Sequence, residues 1–410
     1  GGSGEEAGPA IKVWVSTGRD QARIIKNMIS GQFTYQTGIP VELNMVDTGS
    51  TLIKAALAGK GPDVALQTGN AMELAYRGAL VDLSQYDLSE IQHQFFEETW
   101  VPYRYNGGLY ALPETQTFDV LFYRTDVFQD LGLTVPDTWD DFYQVLARLQ
   151  KNNLEVGIPE INALNMGVSD GVFTFDKLLL QKGESYYNSR LTATTFSSEA
   201  AYQAFEEWVN LYKVYGLSRQ YDFYSRFRSG EMPLAIQNYS AYNQLAKAAP
   251  ELQGLWEMAP IPGTRQADGS IDRSESCTFT GCFMLNSAKE KGVDQEAIQF
   301  MTWWVDGDTQ AAYGQELESA LGIAARYTPA NKEALEKLDW TAEEQEVLLG
   351  QMAFVKPIEQ IPGNYIIGRS LTTAFRAAVT GQTGIRQAFT NSTKTINDEI
   401  TRKRREFNLD

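Results

Sequence analysis

Ile11-Lys12-Val13-Trp14-Val15, Val41-Glu42-Leu43-Asn44-Met45-Val46 and Asp63-Val64-Ala65-Leu66 are three short apolar runs, and their order decides the fold. In the second run Val41, Leu43 and Met45 alternate with Glu42 and Asn44, the two-residue period of a half-buried strand. Each run is followed by a stretch at helical spacing, from Asp20 to Ile29, from Thr51 to Ala58 and from Asn70 to Tyr76. Strands alternating with helices of this length make βαβ units and a mostly parallel sheet, an α/β fold.

Farther along, Pro136-Asp137-Thr138-Trp139-Asp140-Asp141 reads as a helix start, with Thr138 as N-cap and Asp141 in the capping-box position. Trp139, Phe142, Leu146 and Leu149 then follow on one face. Ala201, Phe205, Trp208, Tyr212 and Tyr215 are spaced as the core stripe of a second long helix, with Gly216 as its stop. The segment from Trp256 to Arg273 holds Pro260, Pro262, Gly263 and Gly269 and reads as loop. A strand is expected over Cys282 to Leu285 and a helix over Asp294 to Val305. A chain of 410 residues exceeds the roughly 250–300 at which single cores stop growing, so two lobes are expected.

Composition narrows the function. A net charge of −17 repels phosphate backbones and anionic headgroups, so nucleic acid is not an expected partner. No stretch approaches the roughly 18 apolar residues of a spanning helix. Residues 1–9, Gly-rich and ending in Pro9, have the composition of a tether, whether an added linker or the segment that follows a lipid-anchored cysteine. Cys277 and Cys282, five residues apart around Gly281, would point to opposite faces of a straight strand, so two free thiols are the simpler reading and a bridge would need a turn.

Several enzyme classes lack their parts. The chain has one histidine, His93, with no second His and no Cys beside it, so no transition-metal ligand set is expected and neither a metal nor a cofactor is called for. Gly167-Val168-Ser169-Asp170-Gly171 fits the nucleophile-elbow pattern, but the histidine base of that arrangement follows the serine in the chain, and His93 precedes it. Glycoside hydrolysis needs only two carboxylates and stays open as the rival class.

Gly59-Lys60-Gly61-Pro62-Asp63-Val64, a helix, then Arg77-Gly78-Ala79-Leu80-Val81-Asp82-Leu83 form the first of several ordered blocks. Tyr105 to Pro113, Leu121-Phe122-Tyr123-Arg124-Thr125-Asp126-Val127-Phe128, Phe227-Arg228-Ser229-Gly230-Glu231-Met232-Pro233-Leu234-Ala235-Ile236 and Leu321-Gly322-Ile323 follow. The set, over roughly residues 11–405, resembles the family 1 extracellular solute-binding proteins of ABC transporters, which include the maltose and oligosaccharide receptors. The resemblance implies a two-lobed periplasmic-binding-protein fold (type II-like), each lobe a mostly parallel sheet flanked by helices, joined by three hinge crossings. The lobes would be residues 10–115 with 283–338, and 116–282 with 339–410. It implies a receptor, not an enzyme, that closes on a small carbohydrate outside the cytoplasm and delivers it to permease subunits in the membrane; a receptor for another small solute is the alternative. Nothing in the sequence signals oligomerisation, and a monomer is expected.

Carried over residue by residue, the resemblance makes Ser16, Thr17 and Arg19 the first contact loop. Gln67 takes the position of a stacking Trp in maltose receptors, and Asn70 that of a sugar-binding carboxylate, unless it only caps its helix. Thr117 matches a family Glu, with Glu114 or Gln116 able to supply the acceptor instead. Asp170 matches a family carboxylate, or is an N-cap. Asn238, Tyr239 and Tyr242 surround the slot of another stacking Trp, held here by Ser240; Tyr239 or Tyr242 would be the platform, with Trp256 a further candidate or a core ring. Thr278 and Gly281 line the second crossing, and Tyr365 and Arg369 follow the Pro362-Gly363 turn near another family aromatic. Rings for the apolar faces of a pyranose and polar groups for its hydroxyl rim make a chemically sensible set.

Overall fold

The structure is a computed structural model that describes residues 8–46, 49–69, 72–161 and 174–409. The strands of its two larger sheets, numbered in chain order, are β1 (Ile11–Val15), β2 (Val41–Met45), β3 (Val64–Thr68), β4 (Leu112–Thr117), β5 (Asp119–Arg124), β6 (Val156–Gly157), β7 (Leu234–Asn238), β8 (Trp256–Ala259) and β9 (Thr278–Met284). The chain divides into two compact units, residues 1–116 with 279–339 and residues 117–278 with 340–410, and so passes from one unit to the other three times.

The first unit is built on a five-stranded sheet in the order β2-β1-β3-β9-β4. The βαβ reading of the opening runs holds: β1 pairs in parallel with β2, Ile11 opposite Val41, and with β3, Val13 opposite Val64. Ile11, Val13 and Val15 are fully buried while Lys12 is exposed and Trp14 half-buried, so β1 buries one face, whereas the consecutive buried Val64, Ala65 and Leu66 show that β3 is covered on both. β9 joins β3 antiparallel. The helices Arg19–Met28 and Ser50–Leu57 supply the crossovers, each within two residues of its expected bounds.

The second unit has a four-stranded sheet in the order β8-β5-β7-β6. Here the expected parallel character gives way: β8 with β5 and β5 with β7 are antiparallel, and only β6 with β7 is parallel. β8 lies in the segment read as loop, where the prolines and glycines just after it hid a strand of four residues. Periodicity identifies a strand, but its direction is set by which neighbour it meets.

Helix Trp139–Lys151 opens with the expected capping box: Thr138 Oγ1 accepts the Asp141 N–H at 3.1 Å and the Asp141 carboxylate accepts the Thr138 N–H at 3.3 Å. Helix Glu199–Lys213 packs Phe205 on Phe389 and Trp208 on Phe375, with ring centroids 4.5 and 4.3 Å apart. These contacts tie it to helices Ile367–Val379 and Ile385–Glu406 in one apolar core. Tyr215 departs from the expected core stripe. It lies beyond the helix end, 41% exposed, against Tyr143. Cys277 and Cys282 are both buried and not bridged to each other, the first just ahead of β9 and the second within it.

Candidate ligand-binding site

In the first unit, the candidate residues gather at the carboxyl ends of neighbouring strands. β1 and β3 are adjacent and parallel, with Val15 opposite Leu66, so the loop of Ser16 and Thr17 and the helix start at Arg19 follow the strand end beside Gln67. Ser16 and Arg19 are exposed, and Thr17 and Gln67 half-buried. In α/β sheets this is the edge where loops and helix N-termini leave backbone amides free for a ligand. Gln67 has a left-handed backbone, φ 55°, in a residue that is not glycine. Such a conformation costs of order 1–3 kcal/mol and persists where its surroundings enforce it.

Glu114 and Gln116, read as possible sugar acceptors on β4, are placed in the interior. Glu114 is fully buried: one carboxylate oxygen accepts the Gln67 N–H at 2.7 Å and the other the Trp304 Nε1–H at 2.6 Å. Its acceptor positions are taken up by the protein, so the expectation of direct ligand contact is corrected. Burial pushes its carboxyl up to about 7, against the hydrogen bonds from Trp304, Gln67 and Thr280 that favour the anion. Gln116 is 2% exposed. Gly281 is needed for close packing: a Cβ there would lie 2.8 Å from the Tyr103 ring and 3.1 Å from the Leu112 carbonyl oxygen. It shapes β9 and offers no side chain to a ligand.

In the second unit, Thr117, Thr278 and Asn238 come together. The hydroxyls of Thr117 and Thr278 are hydrogen-bonded, and Asn238 Nδ2 donates to Thr117 Oγ1 at 3.0 Å. Asn238 sits opposite Asp119 at the end of β7, and its Oδ1 accepts the Ser240 N–H at 3.0 Å, which starts the turn into helix Ala241–Ala248. Tyr242, on that helix, is half-buried and meets Trp256 at 5.3 Å and Trp340 at 4.7 Å between centroids. Trp256 is half-buried on β8 against Phe122. Of the two tyrosines offered as platform, Tyr239 is excluded: it is fully buried, 4.9 Å from Phe118, and has no free face. A tyrosine at 239 and another at 242 leave a helix start in different directions, which sequence spacing alone did not separate.

Tyr365 and Arg369 are both exposed. Tyr365 meets the last turns of helix Ile385–Glu406, with Lys403 Nζ 5.7 Å from its ring centre. Asn70 and Asp170 lie outside the described residues, as does Ser169 of the elbow pattern. His93 is two-thirds exposed, 3.8 Å from Glu333.

Two groups escaped the sequence reading. Trp340, which closes the aromatic cluster, follows a segment with no strand or turn signal pointing to the site. The other is a buried charge cluster: Lys177 Nζ lies 2.7 Å from Asp119 and 3.7 Å from Glu275, and Ser276 donates to Asp176 at 2.7 Å. Lys177 occupies an apolar-looking helix, Thr174–Gln181, whose every residue is buried. Burial pushes the Glu275 carboxyl well up, and the Lys177 ammonium pulls it back.

The chain matches the bacterial extracellular solute-binding protein family over residues 29–346, well over half its length. Among curated relatives, the multiple sugar-binding protein of Streptococcus mutans is 27% identical over 108 residues; the match spans about a quarter of that relative's length (25%) and 25% of this chain. Among solved structures, the sugar-binding protein MalE from Xanthomonas citri has a TM-score of 0.78 at 17% identity, covering 98% of this chain and 100% of its own. A solute-binding protein of an ABC transporter from Thermotoga lettingae, bound to α-D-tagatose, has a TM-score of 0.69 at 18% identity, covering 95% and 99%. At such identities the likeness is one of fold. The family match over most of the sequence, on the α/β architecture just described, establishes that the chain belongs to the bacterial extracellular solute-binding proteins.

Proposed function

We propose that this protein is the extracytoplasmic receptor of an ABC importer, that it captures a mono- or oligosaccharide by closure of its lobes, and that it delivers the sugar to membrane permease subunits without changing it. The observation that carries this reading is the aromatic cluster of half-buried Tyr242 and Trp256 with buried Trp340, in the same unit as the hydrogen-bonded Thr117, Thr278 and Asn238. Rings of this kind cover the C–H faces of a pyranose, while hydroxyl and amide groups that already exchange hydrogen bonds can re-pair with its hydroxyl rim. Ser16, Thr17, Arg19 and Gln67 would serve from the first unit. Asn70 and Asp170 keep their proposed roles as polar contacts, and Tyr365 and Arg369 theirs as peripheral ones. The receptor would act as a monomer held at the outer face of the cytoplasmic membrane, through a lipid-anchored tether ahead of residue 10. Catalysis has no assigned group here, and a receptor gains from holding its ligand intact.

A thermal-unfolding screen with maltotriose, mannobiose and tagatose, beside amino acids and short peptides, tests the reading. A saccharide at about 100 times its Kd should stabilise the fold by about 2.7 kcal/mol, a rise of a few degrees in Tm. Stabilisation by a peptide alone, or sugar fragments accumulating on long incubation, would overturn it.

A further inference from the structure

β3 ends with a kink. Leu66 is fully buried in regular parallel pairing with β1, Gln67 turns to φ 55°, and Thr68 is again fixed, its hydroxyl donating to the Gly281 carbonyl at 2.8 Å. Gln67 lies where β3 carries one extra residue opposite β9, with Thr68 facing Gly281 and Ala65 facing Phe283, a bulge that takes a left-handed residue. Two groups hold it. The Gln67 N–H donates to Glu114 at 2.7 Å, and its side-chain amide meets the Tyr313 hydroxyl. Glu114 is itself fixed by Trp304 at 2.6 Å and by the Thr280 hydroxyl, which in turn shares a 2.6 Å hydrogen bond with Thr115.

We propose that Glu114 is the positioning residue of the ligand-facing edge of the first unit: its carboxylate holds Gln67 in the left-handed conformation that sets the end of β3, and through that conformation it sets the affinity for ligand. This deepens the receptor reading and rests on it for the statement that Gln67 faces the ligand.

The bulge of β3 on β9 accounts for a left-handed residue at this point, and the Glu114 carboxylate adds a hold that a bulge does not require. Glu114 lies on β4, Gln67 on β3, and β9 runs between them, so the carboxylate reaches past the intervening strand to one backbone amide. Among the described residues no cation pairs with it. The groups that face it are Gln67 from β3, Thr280 and Cys282 from β9, Trp304 from helix Asp294–Val305 and Tyr313 from helix Gly307–Leu321. Of these only Cys282 and Tyr313 titrate, and burial raises both, so they stay neutral where a buried carboxyl changes charge. An anionic acceptor makes the stronger hydrogen bond, and a neutral carboxyl holds the same N–H more weakly. The grip on Gln67 is therefore loosened by acid.

The decisive measurement begins without ligand. In protein labelled with 15N-glutamine, the Gln67 amide shift should move between pH 5.5 and 8.5 with a midpoint of about 7, and should be flat in Glu114→Gln. An amide that does not titrate in the wild type, or that titrates equally in the variant, overturns the positioning role. Maltotriose, mannobiose and tagatose are then titrated calorimetrically into both proteins. Glu114→Gln should weaken the saccharide that binds by about fivefold at pH 8 and leave affinity unchanged at pH 5.5. Equal affinities at pH 8 overturn the link to binding. If no saccharide binds either protein, the carbohydrate reading falls, and the ligand-free amide titration still decides for or against the positioning role.

Discussion

Glu114 shows how a single buried carboxyl couples stability to pH. With its folded value raised to about 7, it keeps a proton in the native state between about pH 4.5 and 7 that the unfolded chain has released. The native state then binds more protons, so this contribution to stability is fully present below the unfolded value and is lost as pH rises through 7. The loss is about 3 kcal/mol. Urea unfolding at pH 5 and pH 8 should show a larger fall in stability for the wild type than for Glu114→Gln, the excess being the Glu114 contribution of about 2–3 kcal/mol, since other raised carboxyls such as Glu275 titrate in both. The two tyrosines separate a core ring from a binding ring. The Tyr239 hydroxyl is buried with no hydrogen-bond partner among the described residues, so Tyr239→Phe should hold stability within about 1 kcal/mol and leave ligand affinity unchanged. Tyr242→Ala should weaken saccharide binding about tenfold, read by calorimetry.

At the scale of elements, helix Trp139–Lys151 depends on a side-chain cap that its sequence spells out. Thr138→Ala removes the acceptor for the Asp141 N–H and should cost about 1 kcal/mol, measured as a lower urea midpoint at unchanged slope. The Lys177 cluster joins helix Thr174–Gln181, the start of β5 and residues 275–276 by charge rather than by apolar contact. Lys177→Met keeps much of the volume but leaves Asp119 and Glu275 buried without their cation. It should destabilise the protein by about 3–5 kcal/mol at neutral pH. The deficit should shrink at pH 5, where the raised Glu275 carboxyl protonates, and a deficit independent of pH would point to packing alone.

For the whole molecule, the chain's three passages between units after residues 116, 278 and 339 make each unit discontinuous in sequence. The first unit cannot complete its sheet without a distant segment: β9, the neighbour of β3, arrives more than two hundred residues later, whereas the four strands of the second unit's sheet all lie within residues 117–278. The proposed capture by closure requires that ligand contacts favour one arrangement over another. Small-angle scattering should record a smaller radius of gyration when a stabilising saccharide is added, and an unchanged profile at saturation would refute closure.

The sequence by itself determined the opening βαβ order, the capped helix at Thr138 and the family, because alternation, capping chemistry and ordered short motifs are local and repeat along the chain. It also located the loops after β1 and β3, since those follow directly from where a strand stops. Only the tertiary structure decided that β5, β7 and β8 run antiparallel, that Tyr239 faces inward while Tyr242 keeps part of its ring at the surface, and that Trp340 completes the aromatic cluster. It likewise turned Glu114 from a ligand acceptor into the anchor of Gln67. These outcomes depend on which distant segment lies across a strand. A carboxylate reads the same in sequence whether its partner is a sugar hydroxyl or a backbone N–H brought from forty-seven residues away.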